Sequence, residues 1–417
     1  MTLEAAKGRF RLDPRAGRRG RGHVEDIGFR PRALMLWWSL QDAAGTAPGN
    51  RGGIGVAAEA SEEAAVAWAA DDAAGPGVLS RWTGHTALLG FDNPLAPAPT
   101  LIGRVLWTDR GFVLDCAEST GGIWHVHYLA LGGEDVRHAA VRRLAVERSG
   151  PSAVGGLGFR PDFLLFLPGA GGTVSGPEPG LIHGIGAATG PDAQAATGFT
   201  ASADGTRASV RGAQRADAVV ALPAPAAGSG ELDAFARLVS LDPDGFTLET
   251  MLRGSTPLPL ACLALAGGLY AVGTETGPRA PERAVTKDVG FEPSGLLAFT
   301  WGLEASGAVK DIGRLCLGGA SASTEAGCVT WAARNRQAWP LEPRVRSSTE
   351  SLVEVLDTRS GGLHARAALE ELRSDGFSLD WLVSDGYRRE FVYVAFGSVP
   401  PPRRFRDRLR DAARVLE

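Results

Sequence analysis

The amino-acid sequence predicts an all-β protein of three tandem antiparallel β-sandwich repeats, jelly-roll-like, with a basic N-terminal arm and a short C-terminal helix. Three observations predict this fold. Short blocks of sequence recur three times in the same order, and an alternation of apolar and polar residues follows them. The 417-residue chain also contains 56 glycines and 26 prolines, which is typical of short strands joined by tight turns. This length exceeds the ~250–300 residues that one hydrophobic core supports, so several domains are expected.

The first block opens each repeat with the pattern Gly-Phe-x-Pro and an apolar run. It begins at Gly28, Gly158 and Gly290, so the copies are spaced about 130 residues apart, and a fixed period of this kind indicates repeated structural units. A proline before an apolar run suits the first residue of a strand, where its missing N–H breaks no ladder hydrogen bond.

The second block is a tight turn with a strand behind it. A glycine precedes each of Phe112, Phe246 and Phe377, and glycine accepts the positive φ that such a turn requires. After Phe377, apolar residues continue at Leu379 and Trp381 with polar residues between them. This period of two predicts a half-buried antiparallel strand.

The third block is an apolar run that closes each repeat. It ends at Gly132, Gly267 and Gly397. Because residues pointing to both faces of these runs are apolar, we expect central strands. Segments rich in proline, glycine and charge near residues 150 and 280 then suggest the domain boundaries. The predicted segments are a basic arm over residues 1–22, sandwiches over 23–150, 151–280 and 281–402, and an amphipathic tail over 403–417.

Composition excludes several classes of protein. The net charge of −4 provides no general attraction to nucleic acid or anionic membrane. The first 23 residues lack the apolar core of a secretory signal, and no apolar run is long enough to span a membrane. We therefore expect synthesis in the cytoplasm without a signal peptide. The four cysteines form no C-x-x-C pair, so buried free thiols are expected rather than a zinc site or a disulfide scaffold.

No catalytic constellation is recognisable, so the chain is not expected to be an enzyme or to use a cofactor. His125 and His127 leave the same face of a predicted strand, a spacing that can hold a metal ion. The other two repeats offer no further ligand at this place, and we predict no metal site. These histidines remain candidate ligand contacts.

Three tryptophans complete the candidate ligand-binding set. Trp37 and Trp38 are adjacent on one predicted strand and must face opposite ways, so one of them is a candidate for exposure, and Trp124 stands beside the two histidines. An exposed indole can stack on a sugar ring or anchor a protein interface. Filling a hydrophobic core remains the main expectation for most of the tryptophans.

The two ends of the chain are candidate assembly contacts. The basic arm includes Arg9, Arg11, Arg18 and Arg19. It could bind nucleic acid or serve as a tether to an acidic neighbour, and we favour the tether because Phe10 is its only aromatic residue. The tail places an apolar stripe at helical spacing, which consists of Phe405, Leu409 and Leu416.

The three blocks together resemble repeats of phage and prophage tail or virion-associated proteins, which read Gly-Phe-x-Pro, Asp-Gly-Phe-x-Leu and Ala-Leu-Gly. The segments around Gly376 and Val392 are also similar to H-type lectin domains, which are small β-sandwiches. The first resemblance implies a structural component of a particle whose partners are other subunits. The second implies a carbohydrate-binding module with a host-surface glycan as ligand. Neither resemblance assigns a binding residue in this chain, and the second repeat contains no tryptophan.

Overall fold

A computed structural model of the chain describes residues 2–13, 21–41, 43–59, 62–70, 78–83, 85–93, 98–119, 121–169, 178–179, 181–203, 208–224, 231–252, 257–302, 307, 309–310, 312–334, 343–357 and 359–399. Within these ranges the strands form six antiparallel sheets, three of seven strands and three of four, and no helix is present. The prediction of an all-β protein is confirmed. The predicted tail helix over residues 403–417 lies outside the described ranges.

The first large sheet contains seven strands, which are numbered in chain order. Their spatial order is β1 (Glu4–Leu12), β11 (Trp124–Gly132), β3 (Pro31–Leu40), β5 (Asn50–Ala58), β6 (Glu63–Ala70), β7 (Val78–Thr83) and β15 (Glu178–Pro179). The first small sheet contains four: β2 (Arg21–Val24), β10 (Gly111–Ser119), β9 (Leu101–Thr108) and β8 (Leu88–Gly90). The two sheets enclose one apolar core and form the first sandwich.

The second sandwich has the same arrangement. Its large sheet consists of β12 (His138–Val146), β22 (Leu258–Ala266), β14 (Phe163–Pro168), β16 (Leu181–Gly190), β17 (Ala193–Ala203), β18 (Ala208–Arg215) and β26 (Val309–Lys310). Its small sheet consists of β13 (Gly150–Val154), β21 (Gly245–Leu252), β20 (Leu232–Asp242) and β19 (Val220–Pro223).

The third sandwich follows the same order of strands. Its large sheet consists of β23 (Leu269–Thr276), β33 (Glu390–Gly397), β25 (Pro293–Thr300), β27 (Ile312–Ala320), β28 (Ala326–Arg334), β29 (Arg344–Ser348) and β4 (Gly45–Pro48). Its small sheet consists of β24 (Glu282–Asp288), β32 (Gly376–Ser384), β31 (Leu363–Arg373) and β30 (Val353–Leu356).

Each large sheet ends in a short strand that another sandwich supplies. The second sandwich supplies β15 to the first large sheet, where it pairs with β7. The third sandwich supplies β26 to the second large sheet, where it pairs with β18. The first sandwich supplies β4 to the third large sheet, where it pairs with β29. The exchange runs in one direction and returns to its start, so the three sandwiches form a closed ring.

The large sheets are apolar on both faces because they separate two kinds of core. On β3, Leu36 and Trp38 face the small sheet of their own sandwich. The alternate residues Met35 and Trp37 face a central core that is built from all three large sheets. The side chains of successive strand residues point to opposite faces, which explains why the landmark runs of the sequence are apolar without interruption.

Backbone geometry explains the glycine of the first block. Gly28, Gly158 and Gly290 have φ angles of +90°, +77° and +84°. In this left-handed region an L-residue with a Cβ is strained and glycine is not. The recurring Gly-Phe-x-Pro therefore specifies the same turn ahead of three large-sheet strands.

Close packing explains the glycine of the second block. A Cβ on Gly111, Gly245 or Gly376 would lie 1.9, 1.8 or 1.9 Å from a backbone carbonyl oxygen of the neighbouring strand. No side chain fits at such a distance, so only glycine allows the first strand of the small sheet to approach.

The sheets correct the predicted limits of the sandwiches. The arm over residues 1–22 is not separate, because β1 pairs along its length with β11 and Arg21 begins β2. Residues 138–146 and 269–276 are edge strands of the second and third large sheets and do not end the preceding sandwich. The segments near residues 150 and 280 connect a large sheet to the small sheet of the same sandwich. Their proline, glycine and charge indicate a turn within a domain, which sequence composition does not distinguish from a linker.

Candidate functional site

The tryptophans considered as a stacking platform are buried, in agreement with the expectation that most tryptophans fill a core. Trp37, Trp38 and Trp124 each have 0% exposure. Trp37 and Trp38 do face opposite ways, as expected, but both faces of the large sheet are covered. Glycines on the neighbouring strand make the space: a Cβ on Gly53 would lie 2.3 Å from the Trp38 ring. Among the tryptophan side chains that the structure describes, none is exposed.

The two candidate histidines lie on one face of β11, as expected, at the margin of the central core. His125 is 8% exposed and His127 is 1% exposed. The Nε2 atom of His127 lies 3.0 Å from the Oγ atom of Ser347 in the third sandwich, so this histidine joins two sandwiches. Burial, assisted by the charge of Lys7, lowers the pKa of His127 well below its usual value. The ring is therefore neutral at neutral pH.

Arg9 and Arg11 stand directly opposite these histidines. The antiparallel register pairs Arg9 with His127 and Arg11 with His125. Both arginines are exposed, and together with Phe10 and the two histidines they line a pocket of about 250 Å³, which we call the basic pocket. The structure thus unites two predicted assembly contacts and two predicted ligand contacts in one site.

A buried lysine continues the positive charge behind the basic pocket. Lys7 has the same side-chain direction as Arg9 but is only 6% exposed. Burial lowers its pKa to about 8, against the opposing effect of Cys328 and Glu325 in the third sandwich. The sequence pattern did not predict a role for Lys7, although a lysine is rare in a chain whose cations are almost all arginines.

The lining of the basic pocket offers guanidinium groups, imidazole rings and one phenyl ring, but no carboxylate. Arginine binds carboxylates and phosphates through paired hydrogen bonds. The part of the chain that the structure describes places no carboxylate within ion-pair distance of Arg9 or Arg11. The arrangement is therefore suited to binding an anion.

The corresponding places on the other two large sheets differ. On β12 the residue in the position of Arg9 is Arg143, which binds both carboxylate oxygens of Glu62 in the first sandwich at 2.8 and 2.6 Å. On β23 the position holds Thr274, opposite Val392. The position equivalent to Arg9 is therefore neutralised by an ion pair on β12 and uncharged on β23, whereas Arg9 on β1 is an exposed cation.

A second concave surface lies on the outer face of the second small sheet. This groove of about 490 Å³ is lined in part by Phe235, Val239 and Met251. The guanidinium of Arg215 lies 5.5 Å from the centre of the Phe235 ring, and an ion pair between Arg237 and Glu249 crosses the adjacent strands. Sequence patterns did not predict this groove because its residues come from several strands.

A charged cluster at one end of the third sandwich was also not predicted. The Nδ1 atom of His364 lies 2.8 Å from Asp385, and Arg389 donates to the same carboxylate at 2.5 Å. Burial raises the pKa of Asp357, but hydrogen bonds from Ser360 and from backbone N–H groups have the opposite effect and lower this pKa to about 2. Arg389 directly precedes β33, and its guanidinium also donates to the backbone carbonyl of Gly302 at 2.6 Å.

Comparison with known proteins assigns no family. No protein-family model matches the chain, and no curated protein matches it either.

The other predicted assembly contacts, Arg18, Arg19, Phe405, Leu409 and Leu416, lie outside the described residues. No group of three or more His, Cys, Asp or Glu side chains in the described ranges could hold a metal ion. The same ranges contain no helix that is long and apolar enough to cross a membrane.

Proposed function

We propose that the chain is a non-enzymatic structural component of a phage or phage-like particle, such as a tail, baseplate or capsid-surface protein, built from three copies of one repeat. The observation that carries this proposal is the one-directional exchange of β15, β26 and β4, which joins three similar sandwiches into a ring. A ring of three similar units presents three similar outer surfaces around one axis. Such a surface is matched to a neighbour with threefold symmetry.

The composition of the shared landmarks supports the same proposal. The residues that recur in all three sandwiches are glycines in tight turns and apolar residues in the cores, which determine a fold. Catalysis needs titratable or nucleophilic groups placed together in a pocket. Among the described residues, the pair of exposed arginines that lines the basic pocket occurs on one of the three large sheets, where it is suited to recognition of a partner.

A carbohydrate-binding role is the alternative, and the groove on the second small sheet favours it. Phe235 is half-buried there, and paired charged groups stand beside it. Sugar sites combine an aromatic surface with a small number of placed polar groups. The guanidinium over the Phe235 ring would have to move aside for a sugar to stack.

Particles from the organism that encodes the chain provide the test. We expect the chain to sediment with assembled particles on a density gradient and to remain with them after a high-salt wash, as identified by mass spectrometry of the fractions. A chain that stays at the top of the gradient as a free monomer, while the particle proteins sediment, contradicts the proposal. Binding to a glycan array that Phe235→Ala abolishes would favour the carbohydrate alternative.

A further inference from the structure

In the described part of the chain, no strand pairs with the outer edge of β1 beside the basic pocket. β1 is the outermost strand of the first large sheet. The backbone N–H of Lys7 points away from β11, since it donates to the Oγ atom of Ser321 at 2.9 Å. Backbone groups alternate in direction along an antiparallel strand. The N–H and C=O groups of Arg9 and Arg11 therefore also point outward, away from the sheet.

The outward backbone groups of Arg9 and Arg11 differ in hydrogen bonding from those of earlier residues on β1. Leu3 and Lys7 donate their N–H groups to Ser398 and Ser321 of the third sandwich. For Arg9 and Arg11, no hydrogen bond to the outward groups occurs within the described part of the chain. The opposite edge of each large sheet is covered by an exchanged strand. Among the described residues, the segment from Arg9 to Arg11 is thus a strand edge without a pairing partner, and it carries two exposed cations.

We propose that the Arg9–Arg11 edge and the basic pocket bind an extended acidic peptide segment of a partner subunit. The segment would add a strand beyond β1 and place a carboxylate in the pocket. The inference rests on the proposed function, because it names the chemistry of the particle partner.

Two features of the site favour an acidic peptide over other anions. Another extended backbone has the same spacing of hydrogen-bond donors and acceptors as the edge of β1. A peptide that adds a strand to a sheet gains affinity from the backbone hydrogen bonds and specificity from pockets for its alternate side chains. Arg9 and Arg11 are two residues apart on one face, so acidic side chains at alternate positions of the peptide meet both. A free anion or a sugar acid would use the cations but leave the backbone edge unpaired.

The probe is a fluorescent synthetic peptide of alternating glutamate and valine, titrated into the full chain by anisotropy. One matched peptide replaces each glutamate with glutamine, and another carries N-methyl groups on alternate amides. We expect the glutamate peptide to bind and both matched peptides to lose at least about tenfold in affinity, since one lacks the charge and the other lacks the strand-pairing N–H groups. Equal binding of the N-methylated peptide would leave only an anion site and would overturn the proposal of an added strand.

Variants of the chain locate the site. The double variant Arg9→Gln with Arg11→Gln should lower the affinity for the glutamate peptide about tenfold or more. The control is Arg279→Gln with Arg283→Gln, which removes the same charge from exposed positions near the third small sheet. The control should change the affinity less than about twofold. Equal loss in both double variants would mean general charge attraction and would overturn the site.

If the chain sediments with particles but no peptide binds, the acidic-strand inference fails and the proposed function stands. If peptide binding is observed and the chain is absent from particles, the edge is a peptide site and the proposed function fails.

Discussion

Trp68 and His183 stack face to face with their ring centres 3.8 Å apart and their planes within 7° of each other. Trp68 lies on β6 of the first large sheet and His183 on β16 of the second, so this contact joins two sandwiches inside the central core. Trp331 of the third large sheet meets Trp68 edge to face at 5.0 Å. Aromatic contacts from all three sandwiches therefore hold the ring together at its centre.

The buried imidazole of His183 predicts a pH dependence of stability. Burial lowers the pKa of His183 from 6.5 to about 3. Between these values the unfolded chain binds a proton at this position and the folded chain does not. The free energy of unfolding should therefore fall as the pH falls through this window, by up to about 1.4 kcal/mol per pH unit, and this loss is absent above the unfolded value.

A variant isolates the contribution of this histidine. His183→Phe keeps a planar ring against Trp68 but cannot be protonated. Urea unfolding of both proteins at several pH values should show a shallower decline in the variant, and a constant gain or loss from repacking does not affect this comparison. His23→Gln, at an exposed position, is the control and should follow the wild type. Identical slopes for wild type and His183→Phe would show that His183 is protonated in the folded state.

The phenylalanine of the second block should be essential to each sandwich. Phe112, Phe246 and Phe377 are 0%, 0% and 1% exposed, and each meets an aromatic ring of the facing large sheet at centre distances of 5.1, 5.6 and 5.5 Å. Truncation to alanine should cost about 3–5 kcal/mol at each position because it leaves a cavity between two sheets. Chemical denaturation measures this loss. Val113→Ala, next in sequence but on the outer face, should cost less than about 1 kcal/mol.

The closed ring predicts that the chain can be circularly permuted. The N–H of Leu3 donates to the Oγ atom of Ser398 at 2.8 Å, so the two ends of the ring are adjacent. A permutant that starts at Glu134, ends at Gly133 and joins Val399 to Leu3 by a short flexible linker should fold, because the new break lies between two sandwiches. Circular dichroism and a melting temperature within about 10 °C of the wild type would confirm this expectation.

A second permutant serves as the control for the first. Opening the chain between Leu36 and Trp37 divides β3, a central strand whose residues contribute to two cores. This protein should not fold. If the permutant that starts at Glu134 also fails to fold, the three sandwiches depend on a continuous chain at that point and not only on their shared core.

The four thiols should be unreactive in the folded protein. All four cysteines are free and buried. Burial raises the pKa of Cys116 to about 12, and it raises the pKa of Cys262 well above its usual value. A thiol reagent at mildly alkaline pH should label none of them in the native state and all four in denaturant, since reaction requires an accessible thiolate. Rapid native labelling at any one position would identify a local opening of its sandwich.

Local patterns carried enough information to predict the β class and the positions of the main strands. Alternation after Phe246 and Phe377 predicted strands that β21 and β32 confirm, because the period of two is a property of the extended backbone itself. The turns at the glycines before them were also predicted locally, but the reason for glycine is tertiary, since the carbonyl groups of Val154 and Lys287 on a neighbouring strand leave no room for a side chain.

The candidate site was predicted only in part. His125 and His127 were placed on one face correctly, and Arg9 and Arg11 were recognised as an unusual basic group. Their proximity could not be predicted, because β1 and β11 are separated by more than a hundred residues and meet only through sheet pairing. The sequence left open whether Trp37 or Trp38 is exposed for a related reason, since a single strand does not reveal that its sheet will be covered on both faces.

The sequence by itself determined which segments form strands and where the chain must turn, because these depend on side-chain alternation and on backbone freedom at single residues. The tertiary structure alone decided that β12 and β23 begin new sheets, that short strands are exchanged around a ring, and that the arginines of β1 lie opposite the histidines of β11. These features depend on which faces of the sheets pack against one another. Contacts between distant segments are selected by the burial of whole apolar faces, which no local pattern records.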